Sequence, residues 1–401
     1  MKKMLSKGLL FISLFLGVCA TDAMQSNKPW TVLVYMAAAN NLNPYALLDL
    51  QEMMKVGSND NVNILVYLTL QQDGEEKVTK QLYINKGSIT QVGPDMVKDS
   101  GSVETLKEAL EWAFVMYPSD HKAIIFWDHG SGDLNRFKKQ LSHRGVCYDY
   151  DTGNYLTDKD CVDALNWVRV TYFKLTRFDI IAFDACLMAS LAMAYTLSFN
   201  ANYMVASQET IPGDGYQYAY LFNPFTTGTL DPLAFAKHMV NAYKQEYTGT
   251  LDYTLSATDL RAIQGLVYNS NAISDVLTTQ LKGRDKTTVK STIKKCVSSL
   301  NCLSFDDGNY IDLCQFYKNI LKNITGLKLS SAMATQFKNT LNTAINLFST
   351  VVKANVKSIN YSQANGLSMY FARYAIDPSY YNLIWSKENP QWLNFLRAYL
   401  A

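Results

Sequence analysis

Short runs of consecutive apolar residues recur along the chain, and each run ends in polar or small residues. The runs are rich in β-branched and aromatic side chains, which is typical of strands buried on both faces of a sheet. They predict strands over residues 30–38, 62–68, 122–127, 178–183 and 203–207, and a shorter alternating run predicts one over 80–85.

Segments between these strands repeat apolar residues at helical spacing, and two of them open with N-cap candidates, Ser102 and Thr157. Alternating strands and helices predict an α/β fold, with a mostly parallel sheet flanked by helices, over residues 30–225. The helices predicted in this part cover 44–56, 102–116 and 157–168.

The pattern becomes mainly helical after about residue 212, which predicts a largely helical C-terminal region, 226–401, packed on the sheet domain. A Lys- and Thr-rich stretch over 282–295 is expected to be an exposed connection or helix. Further helices are predicted over 231–247, 259–281, 310–321, 330–352 and 390–400, and strands over 253–257 and 366–372.

The N-terminus has the pattern of a bacterial export signal. Three lysines precede an apolar run over 8–20 that is too short for a comfortable membrane span, so residues 1–20 are interpreted as a signal peptide and 21–29 as a linker. Two ends of the signal compete: cleavage after Ala20, or lipidation of Cys19 in Leu16-Gly17-Val18-Cys19, which resembles a lipobox. We expect an exported protein that is periplasmic, secreted or lipid-anchored at the cell surface.

Composition narrows the function classes. The chain has 401 residues, 48% of them hydrophobic and 18% charged, and a formal net charge of +2. That is enough apolar material for a large core, and the balanced charge excludes an overall cationic nucleic-acid binder, so no nucleic-acid partner is expected. Aromatic residues at 12% exclude a disordered chain.

The cysteines and histidines show no metal-binding spacing. No CxxC pair occurs and the four histidines are scattered, so we expect no zinc site. Acidic candidates such as Asp149, Asp151 and Asp306 lack the spacing of a calcium loop, and no metal ligand is assigned. Without Cys19, six cysteines remain; export permits disulfides, but a chain with this core does not need them.

Two predicted strands end in residues that could do chemistry. Because the carboxyl ends of parallel strands meet at one edge of a sheet, His129 and Cys186 are expected side by side. A histidine beside a cysteine gives an activated thiolate, and the N–H groups of Gly130 and Cys186 could bind an oxyanion. The two strand-end motifs are Asp128-His129-Gly130-Ser131-Gly132 and Asp184-Ala185-Cys186-Leu187-Met188.

Other interpretations compete with this one. A cysteine next to Leu187 and Met188 is often only a small buried hydrophobe. A serine hydrolase would need a Gly-x-Ser-x-Gly elbow, whose first glycine is missing before Ser131. A non-catalytic surface-binding protein on a protease-like fold could use some of the 26 tyrosines as a binding face.

Three further segments, together with the two strand-end motifs, resemble the sequence motifs of one known protein family. They are Trp30-Thr31-Val32-Leu33-Val34-Tyr35-Met36-Ala37-Ala38, Pro212-Gly213-Asp214-Gly215-Tyr216 and Gly366-Leu367-Ser368-Met369-Tyr370-Phe371. From residue 30 to the C-terminus the chain resembles the clostripain family of cysteine peptidases. The resemblance implies a caspase-like fold and a cysteine endopeptidase that cleaves protein or peptide substrates after Arg or Lys.

The resemblance also implies roles for single residues. His129 matches the general base, Cys186 the nucleophile and Gly130 the oxyanion donor. Asp184 and Asp214 match two acids of the S1 pocket, which holds the residue before the cleaved bond, because a buried cation needs carboxylate partners. The competing interpretations are a strand-end acid for Asp184 and a turn residue for Asp214; for Asp128 we favour a structural role.

Self-processing is a further expectation. Residues 133–147 carry several basic side chains and little apolar periodicity, which predicts an exposed loop that a protease could cut. Some relatives mature into two associated chains by such a cut. Arg144-Gly145 is the favoured bond and Lys139-Gln140 the second, against the interpretation that the loop is only a solvated basic segment. Calcium dependence occurs in part of the resembling family and leaves no trace in this sequence.

Overall fold

The structure, a computed structural model, describes residues 27–71, 75–130, 145–249 and 252–401. Its strands are β1 Lys28–Ala38, β2 Val62–Leu70, β3 Val78–Asn85, β4 Ser88–Met96, β5 Ser119–Trp127, β6 Phe178–Asp184, β7 Ala201–Ala206, β8 Thr254–Asp259, β9 Ser304–Phe305, β10 Tyr310–Asp312, β11 Val352–Lys357 and β12 Ser368–Tyr370. Its helices are α1 Asn43–Val56, α2 Val103–Met116, α3 Asp158–Thr171, α4 Leu191–Leu197, α5 Tyr218–Phe222, α6 Pro232–Tyr247, α7 Ile263–Leu281, α8 Lys286–Cys296, α9 Leu313–Lys322, α10 Ser331–Val351, α11 Ile384–Glu388 and α12 Pro390–Leu400.

Nine of the strands form one mixed sheet in the order β11-β8-β7-β6-β5-β1-β2-β3-β4. The five central strands, β7, β6, β5, β1 and β2, are mutually parallel. Antiparallel strands close both edges: β3 and β4 on one side, β8 and β11 on the other. The predicted α/β fold with a mostly parallel sheet is confirmed, and the sheet continues past residue 225, because β8 and β11 belong to it.

Each face of the sheet is covered by its own apolar core. Side chains alternate along β1, so that Tyr35 packs in one core with α2 and α3, and Val34 packs in the other with α1 and α6. The central strands are therefore buried on both faces, which explains why they read as continuous apolar runs in the sequence.

Both predicted N-caps form. Thr157 makes a capping box with Asp160 at the start of α3, and the Ser102 hydroxyl accepts a hydrogen bond from the Glu104 N–H at the start of α2. These side chains satisfy backbone donors that the first helical turn leaves unpaired.

Some element boundaries differ from the predictions. The helix predicted over 310–321 begins only at Leu313, because Tyr310–Asp312 forms β10, paired with β9 and β12 in a second, three-stranded sheet. Asp312 ends that strand and caps α9 by accepting a hydrogen bond from the Gln315 N–H. The edge strand β11, Val352–Lys357, was not predicted. Most of the Lys- and Thr-rich stretch lies in α8, Lys286–Cys296, which agrees with one of its two predicted forms.

Among the residues that the structure describes, no helix is long and apolar enough to cross a membrane. The predicted signal peptide over residues 1–20, including Cys19, lies outside the described residues.

Candidate active site at the carboxyl ends of the central strands

The ends of β5 and β6 bring His129 and Cys186 together. Trp127 on β5 pairs with Asp184 on β6, and the Asp128 N–H donates to the Asp184 carbonyl oxygen at 3.2 Å. A Cβ atom on Gly130 would lie 2.0 Å from the Cys186 carbonyl oxygen and 2.7 Å from its nitrogen. The chain after His129 therefore lies directly against the Cys186 backbone, and only glycine fits there.

Cys186 sits on a sharp turn beneath a second segment. Leu187, the next residue, has a left-handed backbone with φ 64°, which is uncommon for a branched side chain. The Ile211 N–H donates to the Cys186 sulfur at 3.2 Å. Cys186 is buried, with 6% of its surface exposed.

Two residues contact the His129 ring that the sequence did not single out. Nε2 lies 2.8 Å from the Asn41 side-chain oxygen, and the Tyr150 ring lies parallel to the imidazole, at 7° and 6.1 Å between ring centroids. Asn41 follows β1, and Tyr150 is tied to the same strand end because its N–H donates to the Ala39 carbonyl at 3.0 Å.

Asp128 has the connections of a structural residue. It is buried, its carboxylate accepts a 2.7 Å hydrogen bond from the Asn40 amide, and it accepts a second bond from the Tyr148 N–H. Burial raises the pKa of Asp128 to about 7, while His129 and these donors lower it. The carboxyl group thus joins the β1 end, the β5 end and the segment that follows residue 144.

Asp184 lies buried beside the nucleophile candidate. Its Oδ2 accepts hydrogen bonds from the Tyr216 N–H and the Tyr218 hydroxyl, each at 3.0 Å. Burial raises the pKa of Asp184 to about 7, against the lowering effect of these two donors. A Cβ on Gly215 would lie 2.8 Å from Oδ2, so the turn approaches the carboxylate closely because position 215 has no side chain.

The structure gathers further acids around Asp184. Asp214 is exposed on the 212–215 turn. Burial raises the pKa of Asp49 and Glu52 on α1, and the charge of Asp214 adds a smaller contribution to both. Asp49 is buried and accepts a 2.6 Å hydrogen bond from the Trp127 indole. Burial raises its pKa to about 9, with Asp184 as the next contribution.

Asp49 and Glu52 were not predicted to belong to a site. Glu52 accepts hydrogen bonds from the Tyr218 N–H and the Gln217 amide, each at 2.9 Å, and so fixes the segment after the 212–215 turn. Their i, i+3 spacing shows only that both lie on one face of a helix. No local signal says that this face meets the end of β6.

Several sequence expectations fall where the structure gives no test. Lys139 and Arg144, the candidate self-cleavage residues, lie outside the described residues, which resume at Gly145. Across the described ranges, no group of three or more His, Cys, Asp or Glu side chains could hold a metal ion. The six cysteines within those ranges form no disulfide.

Comparison with known proteins agrees with this fold and these motifs. Residues 34–393 match the clostripain family. Clostripain of Hathewaya histolytica is 26% identical over 238 residues, which cover 53% of this chain and 45% of clostripain. The chain thus matches less than half the length of that relative.

Solved structures share the fold. A secreted cysteine protease from Bacteroides thetaiotaomicron, in complex with an irreversible peptide inhibitor, has a TM-score of 0.65 at 22% identity, covering 92% of this chain and 99% of that chain. An inactive zymogen protease from Parabacteroides distasonis has a TM-score of 0.63 at 20% identity, with coverage of 92% and 99%. Because the family match covers most of its length, this chain belongs to the clostripain family of cysteine peptidases.

Proposed function

We propose that this protein is a cysteine endopeptidase that cleaves after Arg or Lys with Cys186 as nucleophile and His129 as general base. The observation that carries the proposal is the contact of Gly130 with the Cys186 backbone, which sets the histidine beside the cysteine at two parallel strand ends. All the residues in the proposed machinery fall within residues 30–225, and we propose that 226–401 supports them.

The proposed reaction has two stages: acylation of the cysteine and hydrolysis of the resulting thioester. His129 takes the thiol proton, and the Cys186 sulfur attacks the scissile carbonyl carbon while the N–H groups of Gly130 and Cys186 hold the oxyanion. The imidazolium then protonates the leaving amine as the C–N bond breaks, which leaves a thioester on the sulfur. Water, deprotonated by His129, attacks that thioester and restores the thiol.

The acids around Asp184 support the preference for basic residues. A Lys or Arg side chain entering beside Cys186 would meet the buried Asp184 and the exposed Asp214. A desolvated cation binds where carboxylates replace its lost water. We propose Asp184 and Asp214 as the residues that define the S1 pocket.

Export and self-processing complete the proposal. Structural relatives are described as secreted and as an inactive zymogen, which agrees with the export signal at residues 1–20 and with a basic loop before Gly145. We propose that the protein is exported, released or lipid-anchored at Cys19, and cut after Arg144 or Lys139.

The test is hydrolysis of fluorogenic peptides that differ only in P1, with Lys, Arg, citrulline, Asp and Leu, each with and without a chelator. We expect cleavage after Lys and Arg only, and loss of several orders of magnitude in Cys186→Ala and His129→Ala. The chelator arm decides whether calcium contributes. A wild type that cleaves none of the peptides, and whose Cys186 does not react with a thiol-directed probe, would instead identify a binding protein.

A substitution of Asp214 tests the proposed S1 pocket separately. Asp214→Asn should lose about a hundredfold in kcat/KM on Lys and Arg peptides, because a desolvated cation loses a carboxylate partner. The citrulline peptide, which has no charge, should lose much less. Equal losses on both peptides would make Asp214 a turn residue.

A further inference from the structure

A polar side chain lies beside the Nε2 atom of His129. The Asn41 side-chain oxygen lies 2.8 Å from that nitrogen. An amide oxygen only accepts hydrogen bonds, so the ring nitrogen facing it carries the proton. In a neutral imidazole this leaves Nδ1 as the basic nitrogen.

The turn that carries Asn41 is fixed by the residue before it. The Asn40 amide donates to the Ala37 carbonyl at 3.0 Å, to Asp128 at 2.7 Å and to the Tyr148 carbonyl at 3.1 Å. Its oxygen accepts from the Leu42 N–H at 2.9 Å. Asn40 therefore anchors the turn from both sides, which holds the Asn41 backbone in place beside the β5 end.

Asn41 is not held there by burial. It is exposed, whereas Asn40 is buried and bonded on every side. Water can hydrate an exposed amide in any orientation. Packing alone therefore does not make the Asn41 oxygen face the ring. The Tyr150 ring lies parallel to the imidazole, with 6.1 Å between the ring centroids.

We propose that Asn41 is a positioning residue of the active site: it fixes the tautomer and the orientation of His129, so that Nδ1 serves Cys186 and the leaving amine. The inference rests on the proposed Cys186–His129 mechanism and adds a third member to it. When the ring becomes positively charged, the Asn41 oxygen stabilises the Nε2–H without taking its proton.

Three variants test the proposal. Asn41→Ala removes the acceptor, Asn41→Asp keeps an acceptor and adds a charge, and Asn43→Ala is the matched control. Asn43 lies in the same segment and donates to the Asn40 and Gln71 carbonyls, with no bond to the ring. Melting temperature, kcat, KM and the pH profile of kcat/KM are measured for each variant on one Lys peptide.

We expect Asn41→Ala to lower kcat about tenfold to a hundredfold, with KM little changed, because the ring can turn and change tautomer. Asn41→Asp should keep most of the activity and move the alkaline limb of the profile to higher pH, since a carboxylate stabilises the imidazolium. The titratable groups beside the ring are Asp128 and Tyr150, and the proposed mechanism adds Cys186. The Asn43→Ala variant should keep the wild-type profile.

A second measurement does not depend on turnover. The rate of Cys186 alkylation by iodoacetamide, located by mass spectrometry, follows the thiolate. Asn41→Ala should move this rate profile to higher pH. Wild-type kcat and alkylation in both Asn41 variants would overturn the inference, as would equal losses in Asn43→Ala and Asn41→Ala. If the wild type cleaves nothing and His129→Ala leaves alkylation unchanged, the proposed mechanism itself fails.

Discussion

Gly130 shows how much of the proposed catalysis depends on a missing side chain. Its contact with the Cys186 backbone leaves no space for a methyl group, since the nearest atom is a main-chain oxygen that cannot rotate away. In the proposed mechanism this close contact holds the Gly130 N–H beside the nucleophile, where an oxyanion donor is needed.

We therefore expect Gly130→Ala to lower kcat/KM by at least about a hundredfold, as loss of one oxyanion donor does. Gly228→Ala is the control, because nothing lies within 4 Å of its added Cβ. Both variants are compared by peptide hydrolysis and by melting temperature. Near-normal hydrolysis in Gly130→Ala would show that the strand ends separate easily and that this N–H has no catalytic role.

The raised pKa of Asp184 predicts that the KM for basic substrates depends on pH. Its pKa is raised to about 7 by burial, so the carboxyl is protonated and neutral in acid and becomes charged as the pH rises through about 7. KM for Lys and Arg peptides should fall between pH 6 and pH 8, while KM for the citrulline peptide should change less. Asp184 and Asp214 both interact electrostatically with Asp49, and Asp214 also with Glu52, so these acids enter the same profile. A flat KM for the Lys peptide would contradict the pocket role.

The same carboxyl group affects stability with a defined sign. An acid whose folded pKa lies above its unfolded value stabilises the fold at low pH, and this contribution is lost as the pH rises through the folded pKa. The melting temperature of the wild type, measured relative to that of Asp184→Asn, should therefore fall between pH 5 and pH 8. If the difference in melting temperature between the wild type and Asp184→Asn stays constant over this range, Asp184 is charged in the fold throughout.

Among the elements, the segment from Gly145 to Tyr150 follows the residues predicted to form the basic loop and contacts the site. The Tyr148 N–H donates to Asp128, the Tyr150 ring lies parallel to the His129 ring, and Asp149 between them anchors the segment. The Asp149 carboxylate is fully buried and meets the Lys77 ammonium at 3.0 Å and the Ser100 N–H at 3.0 Å. A buried pair of this kind matters most when one partner is removed.

Asp149→Ala should destabilise the protein by about 3 kcal/mol, because it leaves the Lys77 ammonium buried with a weaker partner. Asp151→Ala is the matched control: Asp151 also meets Lys77, at 3.1 Å, but its side chain is half exposed. An exposed partner contributes about 1 kcal/mol at most. Urea unfolding measures both variants, and equal losses would show that burial of Asp149 adds nothing.

The strands that carry the site could be predicted from the sequence, and their surroundings could not. The β5 and β6 runs are continuous and apolar because both faces are covered, so their ends, and with them His129 and Cys186, followed from local pattern. Asn41, Asp49 and Glu52 become part of the site only through tertiary contacts. β11 was missed because Val352–Lys357 is a half-buried edge strand that directly follows a long helix.

At the scale of the whole molecule, the basic residues in the predicted loop over 133–147 predict that the protein is cut into two chains. If the enzyme cleaves after Arg or Lys, purified wild type should run partly as two fragments on a denaturing gel, with a new N-terminus between Phe137 and Val146. Cys186→Ala should remain one chain until active wild type is added. A wild type that hydrolyses basic peptides at full rate as a single chain would show that no cut is needed.

The pairing of β5 with β6 sets the fate of such fragments. A cut between residues 136 and 146 leaves β1 to β5 on one fragment and β6 to β12 on the other, yet β5 and β6 are neighbours in the middle of one sheet. Each fragment alone would expose an unpaired strand edge and a divided core. The fragments would therefore not part on dilution, and cleavage would be a one-way event. A cell could end the activity only with an inhibitor or by destroying the protein.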